Sequence, residues 1–184
     1  MKTALLLIDI QNDYFPGGKM ELDGSLEAGR CAQKVLAFFR ERGLPLVHIQ
    51  HISTRPTATF FLPETRGVET HRTVKPLPGE MIIRKNYPNS FRNTGLPEWL
   101  KKNEINHLVL AGMMTHMCVD ATVRAGFDLG FQCTVVYDAC ATKALAFGGL
   151  TVSPEQVQAA FLAALNGVFA KVVGHEPLIA NFKN

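Results

Sequence analysis

His107-Leu108-Val109-Leu110-Ala111-Gly112-Met113-Met114-Thr115-His116-Met117-Cys118-Val119, followed by Asp120-Ala121-Thr122-Val123-Arg124-Ala125-Gly126, is the stretch on which the reading of this chain turns. An apolar run of strand length leads into a glycine and then into residues of helical pattern, so the order is strand, tight turn, helix. Cys118 falls in the first turn of that helix. Free backbone N–H groups and the positive end of a helix dipole favour a thiolate at such a place. A thiolate, unlike a thiol, is a strong nucleophile, and the segment points to an enzyme.

Working outward, short apolar runs alternate with amphipathic stretches. Strands are expected near Ala4–Asp9, Pro45–Gln50, Met81–Arg84, His107–Met113, Gln132–Asp138 and Val168–Val173. They are apolar on both faces, as buried parallel strands are. A helix is predicted over Ser25–Arg42, with Ala28, Cys31, Val35, Phe38 and Phe39 facing inward and Gly43 ending it. A second is predicted over Leu96–Asn103. A last one opens at Ser153-Pro154-Glu155-Gln156, a cap, a proline at the first helical position and a glutamine placed to close a capping box. Its expected inward stripe is Val157, Ala160, Phe161, Ala164 and Leu165. Repeated β-α order implies an α/β fold, a single domain over 1–184 with a doubly wound, mainly parallel six-stranded sheet and helices on both faces.

Composition bounds the function. Hydrophobic residues make up 47% and charged residues 19%, which fits one globular domain of 184 residues. A net charge of +3, with both signs interspersed, gives no case for nucleic-acid or membrane partners. The run Ala4–Ile8 is too short for a secretory signal or a membrane span. Cys31, Cys118, Cys133 and Cys140 show no CxxC spacing and read as reduced thiols of a cytoplasmic protein.

Reactive groups on such a sheet belong at the carboxyl ends of the strands. Asp9 ends the first strand, in Leu7-Ile8-Asp9-Ile10-Gln11-Asn12-Asp13. Lys85 follows the third, in Ile83-Arg84-Lys85-Asn86-Tyr87-Pro88-Asn89-Ser90-Phe91, and Cys118 follows the fourth. If the first and fourth strands are central, an acid, an ammonium and a thiol converge on one crevice. Taken singly, each has a plainer reading: a capping carboxylate, a solvated lysine and a small buried hydrophobe. Ile52 to Gly79, with four prolines and the apolar trio Phe60, Phe61 and Leu62, is a long loop that either covers a ligand or plugs the edge of the core.

The segments Leu5–Tyr14, Lys85–Phe91 and Gly112–Asp120, followed by Val136-Tyr137-Asp138-Ala139-Cys140-Ala141-Thr142, resemble the isochorismatase-like cysteine hydrolases. That superfamily includes nicotinamidases, carbamoylsarcosine amidohydrolases and ureidoacrylate amidohydrolases. The resemblance implies an isochorismatase-like, Rossmann-like fold and catalysis by Asp9, Lys85 and Cys118. Cys118 would attack a carbonyl carbon to give a thioester, Asp9 would shuttle the proton, and Lys85 would hold Asp9 and stabilise negative charge. It further implies an oxyanion hole from the N–H groups of Met114 and Cys118, a cis Met113–Met114 bond, and a homo-oligomer. Neighbours of these motifs, Gln11, Tyr14, Phe15, His51, Tyr87, Phe91 and Met117, are the candidate substrate-binding residues.

One departure narrows the chemistry. Nicotinamidase-type relatives hold a metal through an Asp-x-His segment, whereas here His48-Ile49-Gln50-His51 places Ile49 at the carboxylate position. With His51 and His71 left as a residual pair, no metal is expected, nor any organic cofactor. The expected substrate is a small amide, carbamoyl or ureido compound, with a vinyl-ether hydrolase, a redox-sensing thiol and a silent scaffold as alternatives. A dehalogenase-type phosphatase would need a second Asp where Gln11 stands. Neither GxGxxG nor GxSxG is present.

Overall fold

The structure is a computed structural model that describes residues 1–182. Strands β1 (Thr3–Ile8), β2 (Leu46–His51), β3 (Met81–Lys85), β4 (His107–Met113), β5 (Gln132–Ala141) and β8 (Lys171–Val173) form one sheet in the order β3-β2-β1-β4-β5-β8. Every pairing in it is parallel. All six residues of β1 are buried, as its central position requires. Leu5 and Leu7 face one core and Ala4, Leu6 and Ile8 the other, the two-residue alternation of a strand with both faces covered. Helices α1 (Ser25–Glu41) and α5 (His175–Ala180) pack against the first face. On the second lie α2 (Leu96–Lys102), α3 (Asp120–Asp128) and α4 (Pro154–Leu165), through Leu96, Leu100, Val123 and Leu165.

The predicted elements recur, with instructive shifts. Gly43 (φ 60) follows α1 as expected, but the buried side of α1 runs through Ala28, Ala32, Val35, Leu36, Phe38 and Phe39, leaving Cys31 half-buried. The capping box of α4 is present: Ser153 Oγ accepts the Gln156 N–H and Gln156 Oε1 accepts the Ser153 N–H. Its inward stripe is narrower than predicted. Only Val157 and Leu165 are buried, Phe161 is half-buried, and Ala160 and Ala164 are exposed, because α4 covers the sheet's margin near short β8. The last strand starts at Lys171, since Asn166–Ala170 are taken up by a turn at Gly167 (φ 91). A hairpin of β6 (Leu145–Phe147) and β7 (Leu150–Val152) was not anticipated. Its turn is Gly148-Gly149, with φ of 58° and 81°, the paired positive φ of a tight hairpin, and that dipeptide was the available signal.

A half-buried polar link ties α1 to the entry of β3. Arg40 grips Glu80 with Nε at 2.7 Å and Nη2 at 2.8 Å, and His48 donates from Nε2 at 2.9 Å. The Arg40 guanidinium holds the Glu80 carboxyl down to about 2, against the partial opposition of burial. A carboxylate whose pKa is depressed on folding adds stability that is complete above its unfolded pKa and disappears as pH falls through the folded one. Wild type should therefore lose more stability than Glu80→Gln between pH ~4.5 and ~2, as read from urea midpoints; parallel pH curves would count against the link.

Candidate active site

Strands β1 and β4 are neighbours at the point where the sheet order reverses, so a crevice opens beyond their carboxyl ends. Gly112 in β4 permits the close approach there: a Cβ at this position would stand 2.0 Å from the carbonyl oxygen of Ile8. Asp9 is the first residue past β1 and adopts φ 51, a left-handed conformation uncommon outside glycine. Its N–H is bonded to Ile49 O and its carbonyl to the Gln11 N–H, which fixes the turn and leaves the carboxylate fully buried.

Lys85 closes β3 and His51 closes β2 beside it in register. The Lys85 side chain crosses the end of β2 to reach the crevice. Its Nζ lies 2.7 Å from Asp9 Oδ2 and 3.2 Å from Cys118 Sγ, 3.0 Å from His51 Nδ1 and 3.1 Å from the Tyr87 carbonyl. Cys118 sits in a π-helical turn, Thr115–Val119, between β4 and α3. There the Val119 N–H reaches back five residues to Met114 O. Thr115 Oγ1 donates to Ala141 O and His116 Nδ1 meets Thr142 Oγ1 at 2.5 Å, so the end of β5 pins this turn. The Met113–Met114 bond is cis. The three expected residues thus meet in one place, although each comes from a different strand end.

The protonation of the sulfur differs from expectation. Cys118 is 4% exposed, and burial, followed by the negative charge of Asp9, pushes its thiol well above the ordinary range. The direction favours a resting thiol, because desolvation and the Asp9 charge outweigh the help of Lys85. Burial also works against the Lys85 ammonium, but Asp9 and Cys118 more than offset it and the net direction is upward. Among the described residues, Asp9 Oδ1 has no hydrogen-bond partner, and Oδ2 is met by the Lys85 ammonium. A buried carboxylate oxygen without a donor is costly unless a proton or ligand meets it during function.

The positions that correspond to the nicotinamidase-type metal segment are engaged otherwise. Ile49 is buried in the core, His48 is held by Glu80, and the His71 ring stacks on Phe15 at 3.5 Å while capping the turn Arg72–Val74. Ligand atoms of Asp9, His51 and Cys118 do lie within 4.8 Å of one another. The Lys85 ammonium contacts all three, so this trio already has its cation. Prolonged dialysis against a strong chelator is expected to leave activity unchanged; recovery only on adding a divalent metal would overturn this.

Of the candidate substrate-binding residues, four border the trio. His51 and the Tyr87 carbonyl touch Lys85, Met117 precedes Cys118 and is 42% exposed, and Tyr14, its hydroxyl pKa raised by burial and by the charges of Cys118 and Asp9, lies close by. Three are committed elsewhere. The Gln11 amide binds the backbone N–H and C=O of His51 and the carbonyl of Val68. Phe15 is stacked on His71, and Phe91 packs against Phe131 in the second core. All three lie in turns past the strand ends, where adjacency to a motif in sequence does not fix the direction of a side chain.

The loop from Ile52 to Gly79 is docked. Phe61 is buried against Tyr14 at 4.6 Å, with Phe60 beside it and Leu62 partly exposed, so its middle plugs the core edge beside the site. Asp13, passed over in the sequence, is the anchor: Oδ2 accepts the Phe61 N–H and Oδ1 the Lys19 N–H. A Cβ on Gly67 would collide with that carboxylate. Among the other cysteines, Cys133 and Cys140 are buried thiols whose pKa burial raises to about 12. Cys31 belongs to a separate cluster with Asp138 and His175.

Comparison with known proteins agrees with the fold. The family model of the isochorismatase domain matches residues 3–177. An uncharacterised isochorismatase family protein of Bacillus subtilis, YddQ, is 52% identical over 94% of this chain and 96% of its own. The ureidoacrylate amidohydrolase RutB of Caulobacter segnis is 29% identical over 74% of this chain and 71% of its own. A crystal structure of an isochorismatase-type hydrolase from Oleispira antarctica superposes with a TM-score of 0.94 at 48% identity, covering 98% of this chain and 97% of that one.

Proposed function

Because the chain belongs to the isochorismatase family of hydrolases, we propose that it is a cysteine hydrolase cleaving a C–N bond of a small amide, carbamoyl or ureido compound. The observation that carries the reading is the single ammonium of Lys85 bound to Asp9 at 2.7 Å and to Cys118 at 3.2 Å. Moving the thiol proton to Asp9 shifts one negative charge from oxygen to sulfur while both remain beside the same cation. The transfer therefore costs far less than ionising Cys118 alone. In outline, Asp9 takes the S–H proton as sulfur adds to the carbonyl carbon, and N–H groups of Met114 and Cys118 receive the oxyanion. Asp9 then returns the proton to the departing nitrogen, leaving a thioester. Water, deprotonated by Asp9, opens that thioester and the sulfur regains its proton. No organic cofactor enters any step.

This use of sulfur favours acyl chemistry over vinyl-ether cleavage, for which an acid alone would suffice. Intact-mass detection of an acyl adduct across a panel of small amides, ureas and carbamates tests the reading. An adduct at Cys118 with turnover supports it, and hydrolysis of a substrate by Cys118→Ala would redirect it toward acid catalysis at Asp9.

The reading includes a homo-oligomer. Phe147 on the β6–β7 hairpin is 91% exposed, Leu150 is 74% exposed, and the alanines at 159, 160, 163 and 164 on α4 also face out. Exposed apolar groups of this size are candidates for a subunit contact. Light scattering is expected to give at least twice the 20.3 kDa chain mass, with Phe147→Glu shifting the population toward monomer. A wild-type monomer at micromolar concentration would remove this part.

A further inference from the structure

The network around Lys85 holds one group that hydrolysis at Cys118 does not use, the imidazole of His51. Within the quartet, Asp9, Lys85 and Cys118 are buried, and His51 is half-buried. Its backbone is clamped on both sides by the Gln11 amide, so the ring has a fixed origin. The Lys85 ammonium is only a donor, and it faces His51 Nδ1 at 3.0 Å. Nδ1 must then carry the lone pair, and the single ring proton is on Nε2.

We propose that His51 is the specificity-determining donor of the pocket, its Nε2–H binding a second hydrogen-bond acceptor that the substrate carries beside its scissile carbonyl. This rests on the hydrolase reading and narrows its substrate class to amides or ureides with such an acceptor, at the expense of simple aliphatic amides. The geometry assigns the tautomer, and the electrostatics keep it. Burial, opposed by the Asp9 charge and helped by the Lys85 and Arg55 charges, pushes His51 down to about 4. The groups facing the ring are Asp9, Lys85, Arg55 and the Cys118 thiol, so the imidazole is neutral throughout the neutral pH range. A neutral donor can also serve an uncharged acceptor without bringing a second cation beside Lys85.

His51 has a further effect through Lys85. An ammonium has three N–H groups, yet Nζ is offered four acceptors: Asp9, Cys118, His51 and the Tyr87 carbonyl. Holding one of them on Nδ1 limits how Lys85 divides the others. Replacing His51 must therefore separate the two roles. His51→Asn keeps an acceptor near the Nδ1 position and removes the distal donor, whereas His51→Gln places a donor near the Nε2 position.

The test uses malonamide and isovaleramide, which have similar shape and differ in the second carbonyl. Each is titrated as a protector of Cys118 against iodoacetamide, with modification followed at that cysteine by mass spectrometry. Wild type and His51→Gln should be protected by malonamide at roughly tenfold lower concentration, the worth of one such hydrogen bond, and His51→Asn should show no preference. In parallel, ¹⁵N spectra of histidine-labelled protein should show a proton on Nε2 and none on Nδ1 of His51, unchanged from pH 5.5 to 8. Equal or absent protection in wild type, a preference surviving in His51→Asn, or titration of His51 in that range would overturn the proposal. Because protection needs no turnover, the two readings fail separately: a malonamide preference with no acyl adduct across the panel of amides, ureas and carbamates sinks the hydrolase reading alone, and equal protection with turnover sinks this inference alone.

Discussion

Cys118→Ala is expected to abolish turnover and every acyl adduct while leaving the fold intact. The sulfur is buried in the second core beside Val119 and Val123, and alanine removes one atom without adding a polar group. The stability cost should be modest, on the order of 1–2 kcal/mol as for a small truncation, read from denaturant midpoints. Activity within tenfold of wild type would take the thiol out of the mechanism. A companion measurement concerns its resting state. Since burial and Asp9 raise the thiol pKa, iodoacetamide should modify resting Cys118 more slowly at pH 8 than a small free thiol, with the rate still climbing at higher pH. A rate already flat near pH 7 would mean a resting thiolate.

Asp9→Asn should lower kcat by about two to four orders of magnitude, the usual contribution of a general acid–base. It also strips Lys85 of its carboxylate and leaves an uncompensated charge in the interior, where breaking a buried pair costs roughly 3–5 kcal/mol. Loss of activity alone would then be ambiguous. The double variant Asp9→Asn with Lys85→Met removes both charges and should recover much of the stability with none of the activity, a non-additivity expected of directly paired groups. A double variant that turns over near the wild-type rate would reassign the base.

The lesson in legibility lies in which links were local. The six sheet strands, the capping box before α4 and the glycine after α1 could be read because strand periodicity, cap chemistry and positive φ are written into adjacent residues. The convergence of Asp9, Lys85 and Cys118 was legible for a related reason: each lies at or just beyond the carboxyl end of a strand, and a parallel sheet gathers those ends on one edge. The Gly148-Gly149 hairpin was equally local and could have been found.

The folded chain alone decided the rest. Whether Cys118 rests as a thiol depends on desolvation and on the Asp9 and Lys85 charges brought in from other strands, none of which a local helix-start pattern records. Gln11 as a backbone clamp and Asp13 as the anchor of Phe61 come from contacts between segments far apart in the chain. The tautomer of His51 likewise follows from where one lysine ends up. Pattern along a chain records which face of an element is apolar, but proton positions depend on every charge and every excluded water nearby, and those are set only when distant segments pack together.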